Sequence, residues 1–409
     1  MATTAIRSTR ASWLVVLLAA SVLLNYVDRG AIGVAAPLMK DELGLSATGF
    51  GFAVSAFFWI YAPMCVLAGW LCDRTCVYRM FAVGVAVWAL STTLTGFVNG
   101  LTMLVALRLT LGMGESIAFP GASKIIAAEV APENRGSANA TVAAAIAFGP
   151  AVGVLAGGTI MAAYGWRPIF LVFGLITLLW LVPWHFASRP YRAEKLAAPI
   201  VAPYPMRRLL RFPSLWIMGI GHSLSNYGFY FLLAWLPLYL VKTRGYSIPE
   251  MTGLTTLGFG AQGVAALVLG WASDRWVARG IPEGPLRKGL MALAHLIAVC
   301  SIVGIALAQS TLALALWLMF AGVGTSLIST NLYAIAQMFA GPRAAGSWIG
   351  IQNGLGNISG IIGPIVTGLI VDRLGGYNYA FAAAAGVAGF GVLWWWLVVP
   401  KVELIALDD

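Results

Sequence analysis

Charged side chains are scarce in this chain. Lys, Arg, Asp and Glu make up 10% of its 409 residues, and hydrophobic residues make up 60%. A soluble globular protein carries about 25% charged residues. So few charges cannot cover the surface of a water-soluble protein of this length, which excludes a soluble enzyme or nucleic-acid-binding protein. The composition indicates a polytopic membrane protein.

Metal-binding and catalytic residues are also scarce. The chain has three His and four Cys. Cys72 and Cys76 have a CxxxC spacing, but no His or further Cys lies near them, so we predict neither a metal site nor another cofactor. No nucleophile–base set and no glycine-rich phosphate loop occurs, and we therefore predict that the protein is not an enzyme.

Long apolar runs are what the chain has instead. We count twelve runs of about 20 residues, the length that crosses a bilayer. They are continuously apolar rather than alternating, which favours helices over a β-barrel. The predicted fold is thus an all-α membrane protein with twelve transmembrane helices. The predicted spans are 13–37, 49–71, 79–98, 101–123, 137–162, 166–187, 214–240, 251–272, 287–307, 311–334, 344–371 and 378–399.

Basic residues predict the orientation. An even number of spans puts both termini on one side. That side receives 18 Lys and Arg, the other side 5, and the remaining two, Arg29 and Arg108, lie inside spans. By the positive-inside rule both termini are cytoplasmic, in the inner (plasma) membrane. The net charge of +10 therefore serves orientation rather than binding to nucleic acid.

An internal repeat divides the chain. The sequence Gly-Trp-x-x-Asp-Arg at 69–74 recurs at 270–275, 201 residues later, in each case at the end of the second span of a set of six. Repeats of this kind define the architecture. We predict an N-terminal six-helix bundle at 1–187, a proline-rich basic cytoplasmic linker at 188–213, and a C-terminal six-helix bundle at 214–409.

The repeated loop motif resembles the major facilitator superfamily over the whole chain. That resemblance implies two six-helix bundles with a central substrate cavity and alternating access. In each half an Asp of the motif can hold a helix end or an Arg of the next loop, and so latch one conformation. The predicted latch residues are Gly69, Asp73, Arg74, Gly270, Asp274 and Arg275.

Four ionisable residues lie inside predicted spans 1 and 4. Ionisable groups at bilayer depth are costly and usually functional. Counted from the start of span 1, Asp28 lies about 22 Å up the helix, near the level of Arg108, while Glu115 lies deeper in span 4. We therefore predict that Asp28 pairs with Arg108 and that Arg29 is available to bind a carboxylate through its planar fork.

Protonation follows from this arrangement. Asp28 and Glu115 are the predicted proton-coupling residues, and Glu115, with no obvious partner, is the better proton carrier. Their protonation from outside would release Arg29 and Arg108 for an anionic substrate. A purely structural ion-pair network between the two spans is the alternative interpretation.

The charged motif resembles one branch of the superfamily. Asn25-Tyr26-x-Asp28-Arg29, with Arg108-x-x-x-Gly112-x-x-Glu115, is similar to the anion:cation symporter family of sugar-acid and organic anion carriers, which includes sialin and the vesicular glutamate transporters. The resemblance implies proton-coupled uptake of an organic anion. It also implies the following roles: proton sites at Asp28 and Glu115, anion and switching arginines at Arg29 and Arg108, and a pocket tyrosine at Tyr61. We predict that Asn25 of the same motif also binds the substrate.

The second half has no matching charges. Its spans 7 and 11 carry neutral hydrogen-bonding groups, of which Asn226, Tyr227, Asn353 and Asn357 form the densest cluster. We predict that the first half handles charge and that these four residues bind the body of the substrate, although helix–helix hydrogen bonds would use them equally well.

The sequence is compatible with two classes of anionic substrate. A sugar acid of the hexonate or hexuronate type is the first prediction. Span 5 is almost all Ala, Gly and Val from 138 to 158, which leaves room but few hydrogen bonds and favours an aromatic or short-chain carboxylate such as phthalate. A drug or cation exporter of the same fold would need an uncompensated carboxylate. The coupling ion is a proton, with sodium as the alternative, and we predict a monomer in contact with membrane lipid.

Overall fold

The structure is a computed structural model. It describes the backbone of residues 2–72, 74–130, 134–191 and 205–405, and the side chains of these residues except those of 2–11, 136, 342 and 343. Within these ranges it is helical and has twelve helices long and apolar enough to cross a membrane, which confirms the predicted fold class. The spans are Ser12–Glu42, Ala47–Cys72, Val77–Thr95, Leu101–Glu129, Ser137–Tyr164, Arg167–Tyr191, Pro213–Lys242, Ile248–Ala278, Glu283–Leu307, Thr311–Gly341, Ala344–Leu374 and Tyr377–Val398.

Several spans extend beyond their predicted ends, and three of them show features that the sequence did not predict. The helix of span 1 continues through Pro37 to Glu42, because neighbouring helices in a membrane compensate for the hydrogen bond that a proline removes. Span 4 consists of two helices, Leu101–Glu115 and Ala118–Glu129. Span 11 is interrupted at Asn357, which ends one helix and begins Ile358–Leu374.

The chain forms two compact units. Unit 1 comprises Met1–Ala198 and Pro237–Gly253, and unit 2 comprises Pro199–Leu236 and Leu254–Asp409. In the predicted linker, residues 192–204 lie outside the described part. Its described flanks are a short 3₁₀ turn at Arg189–Tyr191 and a single helical turn at Met206–Leu209.

Contacts within unit 1 include both ends of the inserted segment Pro237–Gly253. Lys242 forms an ion pair with Asp41, at the end of span 1. A Cβ atom on Gly158 of span 5 would collide with the side chain of Thr252, so this side chain packs directly against the backbone of span 5. These contacts attach the end of span 7 and the start of span 8 to the first half of the chain.

Spans 1 and 5 pack backbone to backbone. A Cβ atom on Gly149 would lie 2.4 Å from the Cβ of Tyr26, and one on Gly153 would lie 2.8 Å from the Cα of Val27. Small residues allow such close approach between membrane helices. The Ala- and Gly-rich sequence of span 5 thus fixes the stretch of span 1 that carries Asp28 and Arg29.

This contact makes Gly153→Ala a sensitive substitution. The added methyl group would collide with the backbone of Val27, and overpacking of this kind costs about 1–3 kcal/mol. We expect a lower midpoint of thermal unfolding in detergent, measured by tryptophan fluorescence.

The matched control is Gly260→Ala in span 8, where an added Cβ would meet nothing within 4 Å. This variant should unfold at or above the wild-type temperature, because Ala favours a helix over Gly by about 1 kcal/mol. Equal effects of the two substitutions would contradict the close packing of spans 1 and 5.

Candidate functional site: a buried charge cluster

Arg29 and Glu115 form an ion pair inside unit 1. The Arg29 Nε atom donates to Glu115 Oε2 at 2.8 Å, and the two side chains are 7% and 0% exposed. Burial removes water from both groups, so the charge of each depends on the other. A proton on Glu115 would therefore leave Arg29 without its counterion.

The predicted pairing of Asp28 with Arg108 is wrong for the described structure. The error lies in the starting point of the depth count. Counted from the turns that end span 1 at Glu42 and begin span 4 at Leu101, Arg29 and Glu115 both lie about 20 Å down their helices, whereas Arg108 lies only about 10 Å down. The prediction that Arg29 is unengaged and Glu115 lacks a partner fails for the same reason.

Asp28 is held by neutral donors of span 3. The indole Nε1 of Trp88 donates to Asp28 Oδ2 at 2.9 Å, and the Thr92 hydroxyl donates to the same oxygen at 3.4 Å. Both donors lie on one face of span 3, four residues apart. Sequence reasoning missed both, although a Trp and a Thr at this spacing in an apolar helix are a recognisable pair of hydrogen-bond donors.

Aromatic rings surround the two arginines. The Arg29 guanidinium carbon lies 4.5 Å from the ring centre of Tyr61, 5.1 Å from that of Phe57 and 5.2 Å from that of Tyr26. The Arg108 guanidinium carbon lies 4.9 Å from the centre of the Phe57 ring. Cation–π contacts of this kind stabilise a desolvated arginine without neutralising it.

A glycine of span 4 brings these rings close. A Cβ atom on Gly112 would lie 2.3 Å from the carbonyl oxygen of Phe57 in span 2. Since Gly112 lies between Arg108 and Glu115 on the helix, spans 2 and 4 touch where the charges are. The predicted pocket tyrosine, Tyr61, is 1% exposed and stacks on Phe57 with ring centres 5.0 Å apart.

Several buried polar atoms in this cluster have no hydrogen-bond partner within the described residues. They are the amide nitrogen and oxygen of Asn25, Asp28 Oδ1, Arg108 Nε and Glu115 Oε1. Buried polar atoms are usually hydrogen-bonded. Their concentration at one place gives the cluster both donors and acceptors for a polar guest or for protons.

Three of the four predicted residues of the second half come together in unit 2. Asn226 Nδ2 donates to the Gly356 carbonyl at 3.3 Å, and Asn357 Nδ2 donates to the Asn353 carbonyl at 2.8 Å. The hydroxyl of Tyr230 donates to Asn357 Oδ1 at 2.8 Å. Tyr230, which lies one helical turn after Asn226, was not among the predicted site residues.

The fourth residue, Tyr227, lies against the backbone of span 11 instead. A Cβ atom on Gly363 would be 3.3 Å from its ring. The hydroxyl of Tyr333, which was also not among the predicted site residues, donates to Asn353 Oδ1 at 3.3 Å. The amide cluster therefore surrounds the interruption of span 11 at Asn357.

The predicted latch residues have different partners in the two halves. Asp73 lies outside the described residues, and the Arg74 guanidinium carbon lies 4.1 Å from the ring centre of Trp70. In the second half, Asp274 pairs with Arg287 of span 9 at 3.2 Å, while Arg275 lies over the Trp271 ring. The two glycines of the motif are not closely packed. A Cβ atom on Gly69 would meet nothing within 4 Å, and one on Gly270 would lie 3.8 Å from its nearest neighbour.

Comparison with known proteins identifies the class of this protein. A sequence model of the Major Facilitator Superfamily matches residues 18–282 and 249–407, so the chain belongs to this superfamily of transporters. A solved structure of a bacterial homolog of the human lysosomal transporter Spinster has the same fold, with a TM-score of 0.80, 16% identity, and coverage of 96% of this chain and 98% of that one.

Two relatives narrow the comparison. The "Probable sulfoacetate transporter SauU" of Cupriavidus necator is 29% identical, over 94% of this chain and 93% of the relative. The "Hexuronate transporter" of Bacillus subtilis is 29% identical, over 90% of each chain. Both names are those of organic-anion carriers, which agrees with the resemblance to the anion:cation symporter family. The protein is a multi-pass membrane transporter and not an enzyme.

A double-mutant cycle tests the buried pair. Arg29→Met or Glu115→Gln alone removes one partner and should lower the free energy of unfolding by about 3–5 kcal/mol, because the other group stays buried without its counterion. The double variant should lose much less than the sum. Chemical unfolding in detergent measures all four free energies.

The control cycle uses the exposed pair between Arg167 and Glu42, which are 35% and 51% exposed. Its coupling free energy should stay below about 1 kcal/mol. Additive losses for Arg29 and Glu115 would show that the two groups do not interact in the folded protein.

Proposed function

We propose that this transporter carries an organic anion into the cell by proton-coupled symport with alternating access. The observation that supports this most strongly is the buried Arg29–Glu115 ion pair. A carboxylate that neutralises an arginine in the resting protein can be replaced, once protonated, by the carboxylate of a substrate. The names of the two relatives support an anionic substrate.

The pair supplies the coupling. Protonation of Glu115 from outside weakens its bond to Arg29, which then favours an incoming anion. Binding of the anion to Arg29 in turn favours the protonated form of Glu115, because coupling between two ligands is reciprocal. Release of substrate and proton to the cytoplasm restores the ion pair.

Asp28 and Arg108 have supporting roles in this proposal. Asp28 is the second proton site, held by Trp88 and Thr92. Arg108 is buried, 5% exposed, and forms no ion pair within the described residues. It can therefore accept a carboxylate without first losing a partner. Asn25 and Tyr61 complete the substrate-binding residues of unit 1.

The substrate class that we propose first is a sugar acid. The amide groups of Asn226, Asn353 and Asn357 offer hydrogen bonds to hydroxyl groups, and Tyr227 offers both a ring and a hydroxyl. The hexuronate transporter among the relatives supports this class. The coupling ion is proposed to be a proton, with sodium as the alternative.

An aromatic or short-chain carboxylate is the second candidate. The rings of Tyr26, Phe57 and Tyr61 lie around Arg29, and span 5 offers no polar side chain next to span 1 where Gly149 and Gly153 pack. The relative named for sulfoacetate, a two-carbon anion, supports this candidate.

We also propose the inner (plasma) membrane as the location, with both termini cytoplasmic, on the basis of the basic residues. In that orientation the Glu42 end of span 1 faces outward. From the repeated motif, we also propose a latch role for the two Gly-Trp-x-x-Asp-Arg segments. In the second half, the ion pair between Asp274 and Arg287 is a contact through which such a latch can act.

Transport by the purified protein in liposomes tests the proposal. With an inward proton gradient, we expect uptake of at least one acid from a panel of hexonates, hexuronates, phthalate and sulfoacetate, accompanied by alkalinisation of the outer medium. Alkalinisation driven by a cationic drug, with no response to any acid of the panel, would overturn the proposal. Replacement of the proton gradient by a sodium gradient distinguishes the two coupling ions.

Glu115→Gln separates coupling from binding. A glutamine keeps the shape of the protonated side chain but cannot release a proton. We expect exchange of labelled for unlabelled substrate to continue, while gradient-driven accumulation falls at least tenfold. The control is Glu403→Gln, at an exposed residue paired with Lys401, which should accumulate substrate normally. Accumulation by Glu115→Gln at the wild-type level would remove Glu115 from the coupling mechanism.

A further inference from the structure

Trp88 contacts both of the spans that carry the acidic residues of the charge cluster. Its side chain is fully buried, and its indole nitrogen donates to Asp28 Oδ2. The backbone of Trp88 lies against span 4: a Cβ atom on Gly114 would be 2.6 Å from the backbone nitrogen of Trp88. Gly114 directly precedes Glu115. The indole is thus fixed relative to both spans 1 and 4.

Arg108 is a competing partner for Asp28. Its backbone lies about 10 Å higher in the membrane, but its guanidinium group reaches the Phe57 ring, which Arg29, the chain neighbour of Asp28, also contacts. The second oxygen of Asp28, Oδ1, and the Nε atom of Arg108 are both buried without a hydrogen-bond partner within the described residues. A buried aspartate and a buried arginine gain far more from each other than from neutral donors. In the described structure the carboxylate nevertheless bonds to Trp88 and Thr92.

The other groups around Asp28 do not explain why it bonds to Trp88 and Thr92 and not to Arg108. Glu115 is engaged by Arg29, which is also the neighbour of Asp28 on span 1. Span 5 carries no charged residue between 138 and 158. The charged or titratable side chains of span 6 lie near its ends and are those of Arg167, His185, Arg189 and Tyr191.

We infer that Trp88 is a positioning residue for substrate binding: its indole holds Asp28 on the side of span 3 and keeps Arg108 open to the substrate carboxylate. Thr92 assists on the same oxygen at a longer distance. This inference rests on the proposed function in taking Arg108 as an anion-binding residue. Without the indole, Asp28 would turn to Arg108 and compete with the substrate.

Substrate affinity provides the first test. In Trp88→Phe we expect the KM for the transported acid to rise about tenfold while kcat changes less than twofold, because the substrate must displace Asp28 from Arg108. Thr92→Val, a nearly isosteric change, should raise KM in the same direction by a smaller factor. Trp184→Phe is the matched control, since Trp184 is also fully buried and its indole donates to a backbone carbonyl, that of Tyr78.

Epistasis separates positioning from a structural role. In an Asp28→Asn background, measured by substrate binding in detergent, Trp88→Phe should leave the affinity unchanged, because no carboxylate remains to compete. A loss of affinity that is equally large with Asn at this position would overturn the inference. So would a Trp88→Phe variant with the wild-type KM.

An infrared titration of the purified protein needs no substrate. The band of the protonated carboxyl group that disappears in Asp28→Asn belongs to Asp28. In Trp88→Phe the pH at which this band is half developed should fall by about one unit, since an adjacent arginine favours the ionised form more than an indole does. In the Trp88→Phe, Arg108→Met double variant it should instead rise above the wild-type value.

The transport assay and the infrared titration distinguish failure of the proposed function from failure of the inference about Trp88. If no acid of the panel is transported but the infrared midpoint falls in Trp88→Phe and rises in the double variant, the proposed function is wrong while Trp88 still keeps Asp28 from Arg108. If transport occurs and the midpoint stays constant or rises in Trp88→Phe, the proposed function stands and the role of Trp88 is refuted.

Discussion

The high cost of an unpaired charge in a bilayer is the constraint on which this protein depends. Four ionisable side chains lie inside spans 1 and 4, and only two of them form an ion pair with each other. Arg29 and Glu115 neutralise each other at one depth. Asp28 and Arg108 are stabilised by an indole, a hydroxyl and an aromatic face. Every one of these partners disappears if the helices move apart, so the close helix packing and the charge pattern support each other.

Glycines determine how near the charged groups can come. Gly112 brings span 2 against the part of span 4 that lies between Arg108 and Glu115, and Gly149 and Gly153 do the same for span 5 against span 1. The side chains that bear charge are therefore surrounded by backbone and ring atoms on most sides. These side chains are buried, so a change of charge on one of them, such as protonation, acts directly on its neighbours.

The sequence predicted the architecture well and the pairing of charges poorly. Apolar run length, the repeat of Gly-Trp-x-x-Asp-Arg and the identities of the four ionisable residues can all be read from one chain, because each is a local or periodic property. The partner of Arg29 depends on where span 1 ends, and the five residues between Pro37 and Glu42 shift the level by about 7 Å. Trp88 and Thr92 were not foreseen because their spacing marks them as donors on one helix face but does not identify the distant span that they contact. The partners of Asn226 and Asn357 were foreseen in part, since clustering along spans 7 and 11 is visible in the sequence whereas the role of Tyr230 is not.

The contact between Gly112 and Phe57 also limits how the proposed binding site can be remodelled. Because a methyl group at residue 112 would strike the backbone of span 2, no side chain there can grow to tighten the site. Enlargement is equally restricted on that side, since the glycine has nothing left to remove. Within the first half of the chain, changes in substrate size must therefore come from the rings of Tyr26, Phe57 and Tyr61, whose shortening would also remove aromatic contacts of Arg29. Directed evolution towards bulkier acids should then be slow in the first half of the chain and should accumulate its successful substitutions among the neutral residues of the second.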